Sequence, residues 1–474
     1  MAASLAKGLS PVRAELANGG VVLAQETVMT PAVTISASFR AGSMFDPVDL
    51  PGLAYLTGRV IDRGTERRTA SMMADDLDER GVSLRVSSNR QALTVSCTCL
   101  SEDFDDVLAI VADVVRNPTF PPAEIEKRRA EALTILRQNE DNPGARAVDA
   151  VLELLYGWDH PYGRPPKGTV SGVELVSHAD MVAFHAARVR PAAMSLAIVG
   201  DVRTGHALER AVEEFEGWIA EPPAVTTIAA PPPARGRRAR VIAMPGKTQS
   251  DIAYGFTTIR RLDPRYYAYW MMNNVLGQFG LGGRLVDNIR ERQGMAYYAF
   301  STLDATAGEA PLLVRAGVDP VNVERALAAI DHEVAALAAG GPTATELAET
   351  RAYLVGSIPR LLETNQSIAA FLQTSEEYGL GLDYDQRLPS LLDGVTLDEI
   401  HDKSLLTTFA GPGSGRPGSG VRNALDPGRP HPGPRTYRMS PPETGGKNAT
   451  SSPSFRRRSN RAYSSFTAHE MTVV

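Results

Sequence analysis

The sequence predicts an α+β fold of two homologous domains, each a mostly antiparallel sheet covered by helices. Patterns in the first half recur in the second half at an offset of about 220 residues. Each half alternates strand-like and helix-like stretches, and a Pro-rich segment separates the halves. We therefore expect two domains that face one another across a cavity, arranged as a clamshell.

The repeat is clearest in two pairs of segments. The stretch DLDERGVSL (76–84) is echoed by NIRERQGMAY (288–297), and residues 102–133 match residues 321–354. Both members of the second pair read as an amphipathic helix, a Pro-containing turn and a second helix. Their apolar positions share one helical face: Leu108, Val111 and Val115 in the first copy, and Leu327, Ile330 and Val334 in the second. Such a long offset indicates a tandem duplication and excludes a solenoid of short repeats.

Strands are predicted at the start of each half. In the first half they are GGVVLAQETV and AVTISASFRAG, and in the second half they are ARVIAMPG and SDIAYGFTTI. A later strand is indicated by the alternation of Leu312, Val314, Ala316 and Val318. Because strands are mixed with adjacent helical hairpins, a sheet covered by helices is the expected packing in each half.

Composition shifts set the predicted domain boundaries. The N-terminal domain spans residues 10–220, and the C-terminal domain spans residues 241–410. Between them, residues 221–240 are rich in Pro and then basic, which favours an extended linker. Residues 411–474 are rich in Gly, Pro, Ser and Arg without apolar periodicity, so we predict a disordered tail.

The overall composition is that of an ordinary globular protein. Of its 474 residues, 43% are hydrophobic and 22% are charged, and the net charge of −6 argues against a nucleic-acid partner. No apolar run approaches the roughly 18 residues of a membrane helix, and no signal peptide is evident, so we expect a cytoplasmic protein. Cys97 and Cys99 alternate along a strand with Leu93 and Val95. We interpret them as strand packing, because no further cysteine completes a disulfide framework or metal site.

Several fragments in a fixed order resemble one enzyme family. In the first half they are RAGSMFDPVDLPGLAYLTGRVIDRGTERRTA, NPTFPPAEIEKRRAEALTILRQNEDNP, DHPYGRPPKGT and LAIVGDV, and in the second half LGQFGLGGRLVDNIRERQGMAYYAFSTL. They resemble the pitrilysin or insulinase-type zinc peptidases, which include both subunits of mitochondrial processing peptidase. The likeness covers residues 10–405. Members of this family end the second domain with a strand, and nothing after Lys403 reads as that strand, so the C-terminal domain is expected to lack it.

Active members of this family bind zinc through an H-x-x-E-H motif on the helix that corresponds to residues 52–65. Positions i, i+3 and i+4 share a helix face, so two imidazoles hold the zinc while the Glu reaches the bound water. Here these positions hold Tyr55, Gly58 and Arg59, and the third ligand, a Glu on a later helix, aligns with Ile135. Arg59 also adds a permanent positive charge. The resemblance therefore implies a degenerate site with no metal or other cofactor on this chain.

Other residues do not replace the missing zinc ligands. His178 and His185 lie two helical turns apart, without a carboxylate in the order of the motif. We interpret them as surface or capping histidines. Glu131 lies one turn before Ile135 on the same helix face, but without imidazole partners it cannot hold zinc well.

The second half retains two residues that the family uses to bind substrate. RERQGMAY keeps the family's Arg and Tyr as Arg290 and Tyr297, whose implied role is to donate hydrogen bonds to the substrate carbonyl and oxyanion. The alternative is a surface ion pair for Arg290 and a half-buried core position for Tyr297. Nearby, LGQFGLGGRL (276–285) lacks the ending of a phosphate-binding loop and is either a structural turn or a short peptide-contacting loop.

These features lead to one functional hypothesis and two alternatives. The leading hypothesis is a catalytically silent subunit that binds and orients peptide substrate for a related partner chain, which carries the zinc. One alternative is a scaffold subunit of the same fold without peptidase activity. The other is an active metalloendopeptidase that uses unrecognised ligands. The peptide substrate, the partner's identity and the choice between homodimer and heterodimer stay open.

Overall fold

The structure is a computed structural model that describes residues 8–233, 236–401 and 471–473. Six strands make up the sheet of the first domain: β1 (Val12–Glu15), β2 (Val21–Glu26), β3 (Ala32–Phe39), β4 (Arg85–Ser88), β5 (Leu93–Leu100) and β6 (Met194–Gly200). Their order is β1-β2-β6-β3-β5-β4, and every pair is antiparallel except β2 with β6. This confirms the mostly antiparallel sheet.

The described residues of the first domain also form α-helices. They are α1 (Leu53–Val60), α2 (Ala70–Asp78), α3 (Phe104–Arg116), α4 (Pro122–Glu140), α5 (Pro143–Tyr156), α6 (Val170–Leu175), α7 (His178–Arg188) and α8 (Thr204–Phe215). The turn between α3 and α4 contains Pro121, as the amphipathic pattern of this region predicts. Helices α1, α3 and α8 pack on the sheet around a large apolar core.

Strand β5 shows how the sequence pattern sets this packing. Leu93, Val95, Cys97 and Cys99 are all buried, and they alternate with side chains that are more exposed. Both thiols are free, and burial raises the pKa of each to about 12. The cysteines therefore serve as apolar packing groups, as predicted.

The second domain contains a five-stranded sheet. Its strands are β7 (Ala239–Val241), β8 (Ser250–Thr257), β9 (Ala296–Leu303), β10 (Pro311–Val318) and β11 (Met471–Val473), in the order β7-β11-β8-β10-β9. Only β7 with β11 is parallel. Strand β11 corrects the expectation that the domain lacks its last strand, since Met471–Val473 lies between β7 and β8. Three residues at the end of a long polar segment are too short to show a period-2 pattern.

The described residues of the second domain also form α-helices. They are α9 (Tyr266–Asn273), α10 (Val323–Gly340), α11 (Ala344–Leu361), α12 (Asn365–Glu377), α13 (Tyr384–Asp393) and α14 (Leu397–Ile400). Two π-helical segments, Asn274–Gln278 and Val286–Arg292, flank the Gly-rich stretch that follows α9. Among the described residues, no helix is long and apolar enough to cross a membrane.

Each domain lends one helix to the other domain's sheet. Helix α5 of the first domain packs on β8, and its Val151 and Leu155 share an apolar cluster with Ala253 and Leu313. In the reverse direction, α12 packs on β3 and β6. These contacts join the two halves into the clamshell.

The predicted linker is largely described by the structure, whereas most of the predicted tail is not. Within the predicted linker, residues 221–233 form neither helix nor strand, and β7 begins just before the linker's predicted end. The Ala229 carbonyl oxygen lies 3.0 Å from His160 Nε2, so this stretch is held against the first domain. The predicted disordered tail, residues 411–474, lies outside the described residues apart from β11.

Candidate functional site: a degenerate zinc helix and an exposed Arg–Tyr pair

A buried carboxylate fixes the start of α1, the helix that carries the degenerate motif. Asp46 accepts hydrogen bonds from the backbone N–H groups of Gly52 (2.7 Å) and Ala54 (2.8 Å). Arg164 Nη2 donates to the Asp46 carbonyl oxygen at 3.0 Å. Burial raises the pKa of Asp46 to about 6, although the two N–H groups and Arg164 oppose that shift. The carboxylate satisfies free donors at the positive end of the helix.

Helix α1 buries its apolar face and leaves two of the motif positions half-buried. Leu53, Leu56 and Val60 are buried in the first-domain core, whereas Tyr55 and Arg59 are only partly covered. The Arg59 guanidinium carbon lies 5.7 Å from the centre of the Tyr55 ring, within the range of a cation–π contact. The i, i+4 spacing that would bring two zinc ligands together therefore brings a ring and a guanidinium together.

Arg59 forms an ion pair that the sequence analysis missed. Its Nη2 lies 2.7 Å from Glu131 Oε2 on α4. The same carboxylate accepts two bonds from Arg128 Nη1, at 2.7 Å and 2.9 Å. Hydrogen bonds from Arg128 and then from Arg59 lower the pKa of Glu131. Glu131 is thus held as a carboxylate between two guanidinium groups.

The remaining two motif positions offer no metal-binding atom. Ile135 is half-buried on α4, one turn beyond Glu131. At Gly58, an added Cβ atom would lie 3.5 Å from Leu93 Cδ1, 3.6 Å from Ser88 Cβ and 3.7 Å from Val86 Cγ1. These are ordinary van der Waals distances, so a Cβ atom fits at Gly58 without displacing its neighbours.

The histidines of the first domain bond elsewhere. His185 Nε2 lies 2.8 Å from the Val115 carbonyl oxygen in the last turn of α3, and His178 Nε2 lies 3.3 Å from the Thr119 carbonyl oxygen. Across the described part of the chain, no group of three or more His, Cys, Asp or Glu side chains could hold a metal ion. The residues at the degenerate motif therefore do not fit a zinc ion.

The Arg–Tyr pair of the second domain is exposed. Arg290 lies in the π-helical segment Val286–Arg292, its side chain is 48% exposed, and its Nε lies 3.5 Å from Glu291 Oε1. Tyr297, in β9, is 83% exposed, so it is not a half-buried core residue. The structure does not bring either residue into contact with Tyr55 or Arg59.

The Gly-rich stretch near this pair is tightly packed. A Cβ atom added at Gly277 would lie 2.7 Å from the backbone nitrogen of Ser301 and 2.8 Å from Leu285 Cδ1. Such distances are too short for any side chain, which favours a structural role for Gly277, within the π-helical segment Asn274–Gln278. Gly280–Gly282 form one 3₁₀ turn between the two π-helical segments.

A cavity of about 430 Å³ lies between the first sheet and α12. Hydroxyl and amide side chains dominate its lining, among them Ser36, Ser38, Thr94, Ser195 and Gln373. Gln373 Nε2 crosses to the sheet and donates to the Ser36 and Ser195 carbonyl oxygens, at 2.9 Å and 2.8 Å. None of Tyr55, Arg59, Arg290 and Tyr297 lines this cavity.

Comparison with known protein families decides the identity of the fold. Residues 21–164 match the family model described as "Insulinase (Peptidase family M16)", and residues 176–354 match the one described as "Peptidase M16 inactive domain". The chain belongs to peptidase family M16. The resemblance drawn from the sequence is confirmed.

Relatives within family M16 carry both active and inactive names. The chain is 26% identical over 402 residues to a protein of Mycobacterium leprae named an uncharacterized zinc protease, covering 84% of this chain and 89% of the relative. It is 24% identical over 391 residues to a Helicobacter pylori protein named a non-peptidase homolog, covering 80% of this chain and 87% of the relative.

Solved structures agree with the M16 fold over nearly the same range. The crystal structure of a peptidase M16 inactive domain from Pseudomonas fluorescens aligns with a TM-score of 0.78 at 25% identity, covering 84% of this chain and 94% of that chain. A protease structure from Helicobacter pylori aligns with a TM-score of 0.77 at 17% identity, which shows a shared fold. The two-domain clamshell is thus the M16 arrangement.

Proposed function

We propose that the chain is a catalytically silent subunit of a zinc metallopeptidase, which binds an extended peptide and orients it for a partner chain that carries the zinc. The observation that carries this proposal is the Arg59–Glu131 ion pair at 2.7 Å, formed at a position where active members bind the metal. A cytoplasmic location and a hetero-oligomeric assembly belong to the same proposal.

The chemistry of the first-domain residues supports catalytic silence. Peptide hydrolysis at a zinc site needs a metal that lowers the pKa of a bound water and a base that takes its proton. Gly58 offers no base, and the Arg59 guanidinium binds no metal because it has no lone pair to donate and stays protonated. The Glu131 carboxylate pairs with Arg59, and two arginines hold it.

Two structural features support peptide binding. Strand β4 lies at one edge of the first sheet, where the described residues pair it with β5 alone, so its other edge can accept an extended peptide. Arg290 and Tyr297 are exposed in the second domain and can donate hydrogen bonds to a peptide carbonyl. Neither side chain is buried in the apolar core.

The names of the relatives agree with this proposal. A match to a model described as an inactive domain covers much of the second half, and a relative named a non-peptidase homolog spans most of the chain. Other relatives, such as the Mycobacterium leprae protein, are named zinc proteases. A silent chain beside a zinc-carrying chain would bring both roles into one assembly.

The test is to purify the chain natively, identify the M16 chain that co-purifies, and assay peptide hydrolysis by each chain and by the complex. We expect hydrolysis only from the complex or far more from it than from the partner alone. Arg290→Ala combined with Tyr297→Phe should lower kcat/KM of the complex by about tenfold to a hundredfold, as expected when transition-state donors are lost. Arg292→Ala, an exposed arginine in the same segment that pairs with Asp287, is the matched control.

Each other outcome favours one of the alternatives. Unchanged hydrolysis by the Arg290 and Tyr297 double variant, or a complex without any hydrolysis, would support the scaffold role. Hydrolysis by the chain alone that is lost with zinc on chelation would support an active enzyme with unrecognised ligands.

A further inference from the structure

A histidine of the first domain holds the linker where the two domains meet. His160 Nε2 lies 3.0 Å from the carbonyl oxygen of Ala229 in the linker. The preceding residue, Ile228, packs against an apolar cluster that contains Tyr162 of the first domain and Leu313 of the second. Ile228 and Ala229, which we call the linker strap, therefore lie at the junction of the two domains.

Two hydrogen bonds fix the position of the proton on the His160 ring. The backbone N–H of Tyr162 donates to Nδ1 at 3.0 Å, so Nδ1 offers a lone pair and carries no proton. The neutral ring then carries its proton on Nε2, which donates to the Ala229 carbonyl oxygen. The ring is buried and stacks on Tyr156, with 5.0 Å between the ring centroids. Only the neutral imidazole makes both hydrogen bonds in this position.

The surroundings of the ring oppose its protonation. Burial lowers the pKa of His160 below its ordinary value of 6.5, and the hydrogen bond to Ala229 opposes that shift. The positive charges of Arg90 and Arg164 lower the pKa further. Within the described ranges no carboxylate pairs with this ring, so an imidazolium there would be buried without a counter-charge. The other titratable groups on the elements around it are Asp149, Glu153 and Tyr156 on α5, Asp159 and Tyr162 beside it in the chain, Glu221 in the linker, and Asp304 and Glu309 between β9 and β10.

Tyr162 connects the histidine to the second domain. Its hydroxyl oxygen lies 2.7 Å from Thr306 Oγ1 and accepts a hydrogen bond from the backbone N–H of Gly308 at 3.1 Å. The His160 ring caps the short turn Pro161–Gly163 that carries this tyrosine. One imidazole thus supports both the linker strap and the side chain that bridges the domains.

We propose that His160 is an acid-sensitive latch, which holds the linker strap when the ring is neutral and releases it when the ring is protonated. A proton from the solvent binds Nδ1, and the hydrogen bond from the Tyr162 N–H is lost because two N–H groups then face each other. The ring turns away from this contact, which also breaks the bond from Nε2 to Ala229. This inference does not depend on peptide binding or on a partner chain.

The direction of the pH response follows from the lowered pKa of His160. Because the latched ring binds its proton more weakly than a released ring, the latch is fully stable above about pH 6.5 and weakens as the pH falls. While the latched form dominates, each unit of pH below that value raises the ratio of released to latched chains by up to about tenfold. The strap should therefore be held at neutral pH and released in mild acid.

The test places a nitroxide spin label next to the strap, at Thr227→Cys in the full chain. Thr227 is exposed, whereas Cys97 and Cys99 are buried with the pKa of each thiol raised to about 12, so they resist labelling. Electron paramagnetic resonance should show the mobile fraction of the label rising about fivefold or more between about pH 7.5 and pH 5. His160→Asn does not titrate, and its side-chain oxygen can still accept the Tyr162 N–H, so its label should show no pH response.

Two controls separate release of the strap from general effects of acid. His206→Asn removes a partly exposed histidine that pairs with Asp105, and it should leave the response at position 227 unchanged. A label at Arg292→Cys, on an exposed side chain of the second domain, should have the same mobility at both pH values.

Three results would overturn the inference. They are a label at position 227 whose mobility does not change with pH, a change that persists in a folded His160→Asn chain, and an equal change at position 292, which would indicate general unfolding in acid. If His160→Asn does not fold, the comparison of positions 227 and 292 in chains that keep His160 still decides.

Discussion

Helix α1 in the first domain and the Arg290–Tyr297 region in the second domain differ in how firmly their side chains are held by neighbouring residues. Arg59 is tied to Glu131 on another helix at 2.7 Å and packs beside Tyr55. Arg290 meets only its sequence neighbour Glu291, at 3.5 Å, and Tyr297 is 83% exposed.

This contrast supports the proposal of a chain that binds peptide without catalysing its hydrolysis. In the first domain, the charges of Arg59 and Arg128 both lie against the Glu131 carboxylate, so each of these three groups has an opposite charge beside it. The second-domain groups remain exposed, which leaves them available to a ligand. At the motif position, Asp46 anchors the start of α1, and Gly58 has room for a Cβ atom.

The largest expected effect comes from restoring the family's zinc ligands and general base on α1 and α4. Combining Tyr55→His, Gly58→Glu, Arg59→His and Ile135→Glu should give a chain that holds about one zinc with a Kd below about 1 μM, or roughly 8 kcal/mol of binding free energy. Metal analysis after dialysis and competition with a chelator measure it. The control keeps Arg59 and changes the other three positions, and it should hold no zinc.

The result that would contradict this prediction is a quadruple variant that is folded but binds no zinc. It would mean that the helix backbones, and not only the side chains, have moved away from a metal-binding arrangement.

The Asp46 anchor gives the next largest effect. Asp46→Ala removes the acceptor for two backbone N–H groups of α1 inside the protein, which should lower the free energy of unfolding by about 2–4 kcal/mol. Asp287→Ala, which removes an exposed carboxylate in the second domain, should change it by about 0.5 kcal/mol or less. Urea denaturation measures both variants. Similar losses of unfolding free energy in the two variants would show that the start of α1 is held no more firmly than the exposed segment around Arg290.

The same anchor predicts a pH dependence with a definite sign. Because the pKa of Asp46 rises from 3.8 to about 6 on folding, the folded chain binds more protons than the unfolded chain between these values. Wild-type stability relative to Asp46→Asn should therefore fall by up to about 3 kcal/mol as the pH rises from about 4 to above 6. Thermal denaturation of both chains across this range tests it. A parallel pH profile for the two would show that Asp46 is not perturbed.

The smallest effect concerns the ion pairs themselves. A double-mutant cycle on Arg59 and Glu131 should give a coupling free energy of about 0.5–1 kcal/mol, because both side chains are partly exposed. The same cycle on Arg290 and Glu291 should give a value near zero. Equal coupling free energies in the two cycles would show that Glu131 holds Arg59 no more firmly than Glu291 holds Arg290.

The sequence predicted much of the fold because local patterns encode it. The duplication, the helical hairpins and the alternating burial of β5 all follow from periodicity along one element. The lost ligand set could also be predicted, because Tyr55, Gly58 and Arg59 occupy a motif with fixed helical spacing.

Other features depend on contacts that periodicity does not encode. Arg59 and Glu131 are 72 residues apart, so their ion pair depends on how α1 and α4 pack. The packing of α5 on the second sheet and of α12 on the first sheet could not be predicted either, because an amphipathic pattern does not specify which sheet a helix covers. Strand β11 was missed because three residues carry no readable period.

Zinc analysis of the purified wild-type chain tests the central claim most directly. The chain should be loaded with excess zinc, dialysed and measured for bound metal alongside the restored quadruple variant. We expect far less than one zinc per wild-type chain, because Tyr55, Arg59 and Ile135 occupy the three ligand positions. The contradicting result would be one tightly bound zinc per wild-type chain and a peptidase activity that is lost when a chelator removes the zinc.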